Sequence, residues 1–144
     1  MTDTDLLYEM FSDIVEDRNY ETWDKYFCHD YTHCRNGVEI TKEDIIAENM
    51  ETVVNEETNE EEKVLKDVSC IHETSAVANN DSPDFTVISL QYDLLHMYEK
   101  DLTRKGHVCA IYKICGGKIQ NCTEVIYWEP MSEEQNDDDN VMYV

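Results

Sequence analysis

Four side chains that could bind a metal ion lie within seven positions of one segment. The segment reads FCHDYTHCRNG over residues 27–37, and the four side chains belong to Cys28, His29, His33 and Cys34. A structural zinc site takes its ligands in pairs with about two to five residues between them, from two separate clusters. Here the members of each pair are adjacent, so their side chains diverge, and no second cluster follows. We therefore expect no structural metal and no cofactor, with Cys28 and Cys34 in the core or at the surface.

A single glutamate among apolar neighbours is the sharper candidate for chemistry. In a strand, Glu124 shares its face with Cys122, Ile126 and Trp128. If that face closes around a pocket, loss of water raises the pKa of Glu124, as a general acid or base near neutral pH requires. Glu124→Gln would then leave the protein as stable at neutral pH, or more stable. If the face is exposed or covers a second subunit, Glu124 is only a solvated charge.

Other residues could complete such a pocket. His33 is either the partner of Glu124 across the cavity or a structural histidine, and Asp93 is either a second buried acid or a solvated one. The aromatic residues that could form the wall are Trp23, Tyr26, Tyr31, Tyr92 and Trp128. This set suits a flat hydrophobic ligand, although aromatic residues at such spacings also form plain cores.

Helices come first in the predicted order of elements. Apolar residues repeat at helical spacing over 6–15, and a short second helix is predicted around Trp23 with Asn19 as its cap. Thr41 is predicted to cap a third helix whose buried face extends from residue 45 to 54.

Strands follow the helices. Alternating residues predict four strands, at 64–78, 85–99, 107–114 and 118–128. TRKG and Gly116-Gly117 are predicted as the turns before and after the third of these strands. Strands joined by hairpins make an antiparallel sheet. The sequence therefore predicts an α+β fold, with three helices covering one face of a curved antiparallel sheet.

Two stretches resemble SnoaL-like proteins of the nuclear transport factor 2-like superfamily. The first, YETWDKYFCHDYTHCRNGVEITKEDI, matches the family at Trp23, Tyr26, Asp30, Tyr31, His33, Gly37 and Thr41. In the second, GGKIQNCTEVIYW, Glu124 takes the place of the family's inward acid. The resemblance implies a cone over residues 1–129, in which the sheet wraps round a pocket that the helices close.

The family contains isomerases, cyclases and dehydratases as well as non-catalytic modules. This chain departs from the family pattern at Cys122 and Thr123, where a His and an aromatic residue are frequent, and it has Glu in place of Asp at 124. These departures favour a non-catalytic binding or scaffold module with a hydrophobic pocket. The alternative is an isomerase, cyclase or dehydratase with Glu124 as general acid or base and His33 or Tyr31 orienting a hydrophobic substrate.

Charge and composition narrow the partners. A formal net charge of −22 opposes binding to nucleic acid or to anionic membranes. No apolar run approaches the about 20 residues that span a bilayer, the first residues lack a secretory signal, and the six cysteines are scattered. We expect a cytoplasmic protein with reduced thiols.

Two further surfaces could bind proteins. Phe85, Val87, Leu95 and Met97 share the second face of their strand, and this apolar surface predicts a homodimer. Residues 130–144 are acidic and aperiodic, so we expect a disordered tail that could bind a protein partner. The tail also resembles the glutamate-rich export signals of bacterial type IV secretion effectors.

Overall fold

The computed structural model describes residues 2–50, 52–54, 57–79, 85–99 and 102–130.

The first helix begins with a capping box. Helix α1 spans Asp3–Met10; the Thr2 hydroxyl accepts a hydrogen bond from the Asp5 amide, and the Asp5 carboxylate accepts one from the Thr2 amide. The chain continues as π-helical turns over Phe11–Glu16. Its buried side chains are Leu6, Leu7, Met10, Phe11 and Ile14. One apolar face of this long helix therefore packs on the sheet.

The second helix is short and lacks the predicted side-chain cap. A 3₁₀ turn over Tyr20–Thr22 leads into α2, Trp23–Tyr26. Asn19 makes no capping hydrogen bond with its side chain. Instead its main-chain carbonyl accepts a hydrogen bond from the Thr22 hydroxyl at 2.7 Å.

The third helix has the predicted start and an earlier end. Helix α3 spans Lys42–Asn49, and Thr41 and Asp44 form the expected capping box. The predicted buried face to residue 54 is wrong, because Thr52–Val54 forms strand β3 and pairs with β4, Glu61–Lys63. The backbone of two β-branched valines finds cross-strand partners there rather than helical ones.

Six strands form one curved, unclosed sheet. They are β1 (Phe27–Arg35), β2 (Val38–Ile40), β5 (Leu65–Asn79), β6 (Phe85–Glu99), β7 (Leu102–Cys115) and β8 (Lys118–Trp128), in the spatial order β2-β1-β8-β7-β6-β5. The α+β class, with helices packed on a curved sheet, is confirmed. The sheet is mixed rather than wholly antiparallel, because β1 runs parallel to β8.

The two predicted turns have different outcomes. Gly116 and Gly117 turn between β7 and β8 with φ of +59° and +78°, the left-handed region that glycine enters without strain. TRKG is not a turn: residues 103–106 lie inside β7 and pair with residues 94–97 of β6. Cross-strand pairing continues through the segment that was predicted as a turn.

The hydrophobic core lies between α1, α2 and the inner face of the sheet. Its sheet members alternate along the strands, as at Ile88, Leu90 and Tyr92 of β6. The described helices include none long and apolar enough to cross a membrane. All six cysteines are unpaired. The predicted tail, apart from Pro130, lies outside the described residues, and its disorder and its protein partner stay predictions.

Candidate active site and ligand pocket

The parallel pairing of β1 with β8 assembles the polar part of the site. In this register His33 lies opposite Cys122 and Arg35 lies opposite Glu124. Tyr31, His33 and Arg35 alternate along β1, so all three face the inside of the sheet. Two strands that are far apart in sequence thus bring a carboxylate, an imidazole and a guanidinium to one place.

A hydrogen-bond chain joins Tyr31, His33 and Glu124. The Tyr31 hydroxyl lies 2.6 Å from His33 Nδ1, and His33 Nε2 lies 2.9 Å from Glu124 Oε1. The His33 and Glu124 side chains are only 9% and 6% exposed, so water barely screens this contact. The expected partnership of His33 and Glu124 is present, between neighbouring strands rather than across the cavity.

Arg35 extends the chain to the third helix. Its Nε lies 3.5 Å from Glu124 Oε2, and its Nη1 donates to both carboxylate oxygens of Glu48, at 2.7 and 2.8 Å. Burial lowers the pKa of Arg35, but Glu124 and Glu48 outweigh it and raise the pKa above its usual value. Arg35 is therefore a permanent cation between two carboxylates.

Glu124 differs from expectation in the direction of its pKa shift. Burial raises the pKa of Glu124, yet the hydrogen bond and charge of His33 and the charge of Arg35 together lower it below 4.5. The sequence predicted the opposite shift because it did not place Arg35 beside the carboxylate. Glu124 is ionised at neutral pH, which suits an orienting group better than a general acid.

The hydroxyl and thiol groups around Glu124 stay protonated. Burial, with the negative charge of Glu124 as a further cause, raises the pKa of Tyr31, Tyr92, Tyr112 and Cys122 well above their usual values. These groups therefore act at neutral pH as neutral hydrogen-bond donors and acceptors.

A cavity of about 460 Å³ opens beside these groups. Its lining is mostly apolar and aromatic, with Phe11, Phe27 and Tyr112 joining four of the five aromatic residues expected there: Trp23, Tyr31, Tyr92 and Trp128. The fifth, Tyr26, does not line the cavity. It is fully buried in the core, and its hydroxyl hydrogen-bonds to Asp13.

The other end of the cavity is basic. Lys66, His96 and Arg104 line it together with Trp128. Lys66 Nζ donates to the main-chain carbonyl of Glu48 at 3.0 Å, and the Arg104 guanidinium lies 4.3 Å from the centre of the Trp128 ring. Burial and the surrounding cations, Lys66 and Arg104 foremost, lower the pKa of His96 to about 3. His96 is therefore a neutral imidazole inside a positive field.

The only group of metal-binding side chains among the described residues differs from the one that the sequence suggested. His33, Cys122 and Glu124 place one ligand atom each within 4.8 Å of one another. The fit to a cation is poor, because Arg35 lies against the same carboxylate and the raised pKa of Cys122 disfavours the thiolate. Of the original four, His29 is exposed and Cys28 and Cys34 are half-buried.

A second histidine–carboxylate cluster lies on the outer face of the sheet. His107 Nδ1 is 2.9 Å from Asp93 Oδ1, His107 Nε2 hydrogen-bonds to Glu129, and Lys105 Nζ is 3.6 Å from Asp93 Oδ2. The hydrogen bonds to Glu129 and Asp93 raise the pKa of His107. Burial raises the pKa of Asp93, but His107 and Lys105 lower it overall. Asp93 is thus an outer-face acid and no part of the cavity.

Sequence reasoning missed the lysine and the two arginines that line the cavity among the described residues. Arg35 was within reach, since it follows Tyr31 and His33 at strand spacing, but the segment was not read as a strand. Arg104 was assigned to a turn. Lys66 alternates with Val64 and Val68 in residues 64–68, and a lysine on that apolar face was the available signal.

Comparison with known proteins shows the fold. No protein-family model and no curated protein sequence matches the chain. The structure is similar to that of a candidate isomerase from Rhodopseudomonas palustris, with a TM-score of 0.57, 8% identity, and 88% of this chain and 90% of that chain covered. It is also similar to AclR, a candidate hydroxylase from Streptomyces galilaeus, with a TM-score of 0.52, 13% identity, and 87% and 88% covered. Identities this low show a shared fold alone.

Proposed function

We propose that this protein is a SnoaL-like binding module whose cavity holds a small hydrophobic molecule. The observation that supports this function is the cavity of about 460 Å³ with its largely aromatic and aliphatic lining. Sites for small molecules are typically concave, mostly apolar and supplied with a few convergent polar groups. The Tyr31–His33–Glu124 chain provides those polar groups here.

The test is to fill the cavity and measure binding of a neutral aromatic probe. Val108 is buried and lines the cavity, whereas Val125 on the neighbouring strand is 60% exposed on the outer face. Val108→Phe and Val125→Phe therefore make the same substitution on opposite faces. The probe is the uncharged dye N-phenyl-1-naphthylamine, whose emission rises on transfer from water into an apolar site.

We expect the wild type and Val125→Phe to bind the dye with equal affinity. Val108→Phe should weaken binding by about tenfold or more, since a side chain that occupies the site removes roughly 1.4 kcal/mol or more of contact energy. Circular dichroism of both variants checks that the fold persists. Equal binding by all three proteins would place the dye elsewhere and remove the proposal.

Proton transfer is a second candidate function, favoured by one observation. Tyr31, His33 and Glu124 form a continuous hydrogen-bond chain, and all three residues line the cavity. We propose that the Tyr31 hydroxyl accepts the substrate's proton as it passes its own proton to His33 Nδ1. Glu124, ionised by its surroundings, accepts a hydrogen bond from His33 Nε2, and so orients the imidazole and stabilises its charged form. This arrangement suits removal of a proton next to a carbonyl group.

Exchange of an acidic C–H bond tests this second function without a known substrate. In heavy water, 2-tetralone exchanges its α-hydrogens slowly, and ¹H NMR follows the loss of their signals. We expect wild-type protein to accelerate this exchange and His33→Gln to abolish the acceleration, while His29→Gln, at an exposed position of the same strand, leaves it unchanged. If the exchange rate is the same with and without wild-type protein, the proton-transfer function is wrong and only the binding function remains.

We also propose a homodimer through the outer face of the sheet. The predicted apolar residues Phe85, Val87, Leu95 and Met97 are half-buried. Additional apolar side chains project from the same face, with Ile111, Val125 and Tyr127 exposed by 48%, 60% and 65%. Sedimentation equilibrium at moderate salt should give twice the chain mass, and Tyr127→Glu should give the single mass. A wild-type monomer at high concentration contradicts the dimer.

A further inference from the structure

Three nitrogen-bearing side chains, referred to below as the basic row, lie side by side on the last three strands at one edge of the sheet. Lys66 of β5 pairs with His96 of β6, and His96 pairs with Arg104 of β7. Residues directly opposite on antiparallel strands have Cβ atoms about 5 Å apart, so three neighbouring nitrogen-bearing groups face the same end of the cavity. Lys66 and His96 are only 7% and 8% exposed.

This row is unusual for so acidic a chain. The sequence has 33 acidic residues and 11 lysines and arginines, three acids for each base. Among the described residues, the cavity lining instead has three lysines and arginines, namely Arg35, Lys66 and Arg104, and two acids, Glu48 and Glu124. The described part of the cavity wall is therefore more basic than the sequence as a whole.

Both acids in the described lining of the cavity lie beside Arg35. Glu48 and Glu124 lie 2.7 and 3.5 Å from it. In the part of the chain that the structure describes, no carboxylate forms an ion pair with Arg104. Within the described residues, Arg104 thus brings to the cavity a positive charge that has no carboxylate counter-ion.

Arg104 is held in place by an aromatic ring. It lies over Trp128, and Trp128 in turn packs against Gly106, where a Cβ atom would come within 2.9 Å of the ring. His96 contacts the same ring, with centroids 4.7 Å apart. The glycine lets the indole lie close to the sheet, and the indole supports both basic groups. The row is a pre-organised arrangement rather than a set of free surface chains.

We propose that the cavity binds an aromatic carboxylic acid, with its carboxylate at Lys66, His96 and Arg104. This inference rests on the proposed binding function and names the class of its ligand. The carboxylate receives hydrogen bonds from the ammonium, from an imidazole N–H and from the guanidinium, which is the recognition that such groups perform best.

The aromatic body of the ligand lies towards Tyr92. This residue is four positions from His96 on the same face of β6, about 13 Å along a strand. Phe11 packs against Tyr92 with ring centroids 4.8 Å apart and marks the apolar end of the cavity. A ligand held in this way extends along the cavity past Leu94, with its charge at one end and its ring at the other.

The experiment compares two probes of nearly equal shape, 2-naphthoate and 2-naphthamide, by isothermal titration calorimetry at pH 7. The first is anionic and the second neutral. Both are titrated into wild type, Arg104→Gln and Lys118→Gln. Lys118 is exposed at the start of β8 and does not line the cavity, so its variant makes the same change of net charge elsewhere.

We expect wild type to bind naphthoate at least tenfold more tightly than naphthamide, the scale of one charge-assisted hydrogen bond. Arg104→Gln should lose about tenfold for naphthoate and leave naphthamide unchanged, and Lys118→Gln should change neither. In ¹H–¹⁵N spectra the His96 ring signals should shift with naphthoate and stay in place with naphthamide.

The two ways of failing are distinguishable. Equal affinities for both probes, or equal loss for both in Arg104→Gln, overturn recognition of the carboxylate and leave the binding function standing. If neither probe binds wild type, the cavity has no affinity for aromatic molecules, and both proposals are wrong. The melting temperature of Arg104→Gln shows whether a loss for both probes reflects unfolding.

Discussion

The same chemical contact occurs on the two faces of the sheet in opposite surroundings. On the inner face, His33 lies 2.9 Å from Glu124, with the side chains 9% and 6% exposed. On the outer face, His107 lies 2.9 Å from Asp93, with the side chains 42% and 18% exposed. Equal distances do not make equal interactions, because water screens the outer pair and is nearly absent from the inner one.

The pKa shifts show what burial changes. For His107 the largest cause is a favourable one, its hydrogen bond to Glu129, and the imidazolium gains from its neighbours. For Glu124 the largest cause is unfavourable, since burial opposes its charge, and only His33 and Arg35 together reverse it. Each inner charge therefore depends on its partners, whereas each outer charge also has water. Removing a partner should expose this difference.

The largest expected effect comes from deleting each histidine. His33→Ala leaves Glu124 ionised in a buried site, with Arg35 as the remaining counter-charge, and should lower the free energy of unfolding by about 3 kcal/mol. His107→Ala removes a half-exposed partner and should lower it by less than about 1 kcal/mol. Urea denaturation at pH 7 measures both. Similar losses in the two variants would mean that the inner site is as well hydrated as the outer face.

The second prediction concerns the pH dependence of stability. The contribution of Glu124 on the inner face should be lost in acid, and that of His107 on the outer face should be lost as the pH rises. The pKa of Glu124 in the folded protein lies below 4.5, so its ionised form contributes stability that is present above pH 4.5 and lost as the pH falls through the folded pKa. The pKa of His107 lies above 6.5, so its protonated form contributes stability that is fully present below pH 6.5 and lost as the pH rises through the folded pKa.

The corresponding measurement is the difference in the free energy of unfolding between wild type and each variant across the pH range. Glu124→Gln should be less stable than wild type by about 2 kcal/mol at pH 7, the scale of a hydrogen bond to a charged group, and the difference should shrink in acid. This reverses the expectation from sequence alone that the amide would be neutral or stabilising. His107→Gln should be less stable than wild type below pH 6.5, and the difference should shrink as the pH rises through the folded pKa of His107. If Glu124→Gln were instead more stable than wild type at pH 7, the result would support the raised pKa of Glu124 that the sequence predicted.

The smallest expected effect is a response to salt. Glu129→Gln removes an outer-face charge and should cost about 0.5 kcal/mol in 0.1 M sodium chloride and almost nothing in 1 M, where screening extends to about 3 Å. The loss in Glu124→Gln should not change with salt. A Glu129→Gln loss that stays the same in 1 M sodium chloride would mean that this face is shielded from the solvent ions.

The capped helix, the alternating strand and the glycine turn could be predicted from the sequence because each depends on local residue patterns. The capping box of Thr41 and Asp44, the alternation of residues 88–92 and the Gly116-Gly117 turn each depend on neighbouring residues. Such patterns predict the class of fold and which face of a strand is buried. They do not determine which strand lies beside which.

The candidate site depends on the order and register of the strands, which these local patterns do not determine. Glu124 and His33 were identified by their residue types, but the direction of the Glu124 pKa shift follows from Arg35, and Arg35 reaches it only through the parallel pairing of β1 and β8. The basic row was hidden for the same reason, since Lys66, His96 and Arg104 come from three strands and meet only in the correct register. Arg104 was assigned to a turn, whereas it lies in a strand and lines the cavity.

The parallel β1–β8 pair also has a consequence for the order of folding. The His33–Glu124 contact joins residues 91 positions apart, and every polar group around it depends on β8 adding to the sheet next to β1. The β6–β7 and β7–β8 hairpins are local and can form early, whereas a long-range parallel pairing must close a large loop first. On the ribosome the helices and β1 emerge long before their partner strand. The protein should therefore acquire its site in the last step of folding. Until then, the edge of β8 that pairs with β1 is left exposed.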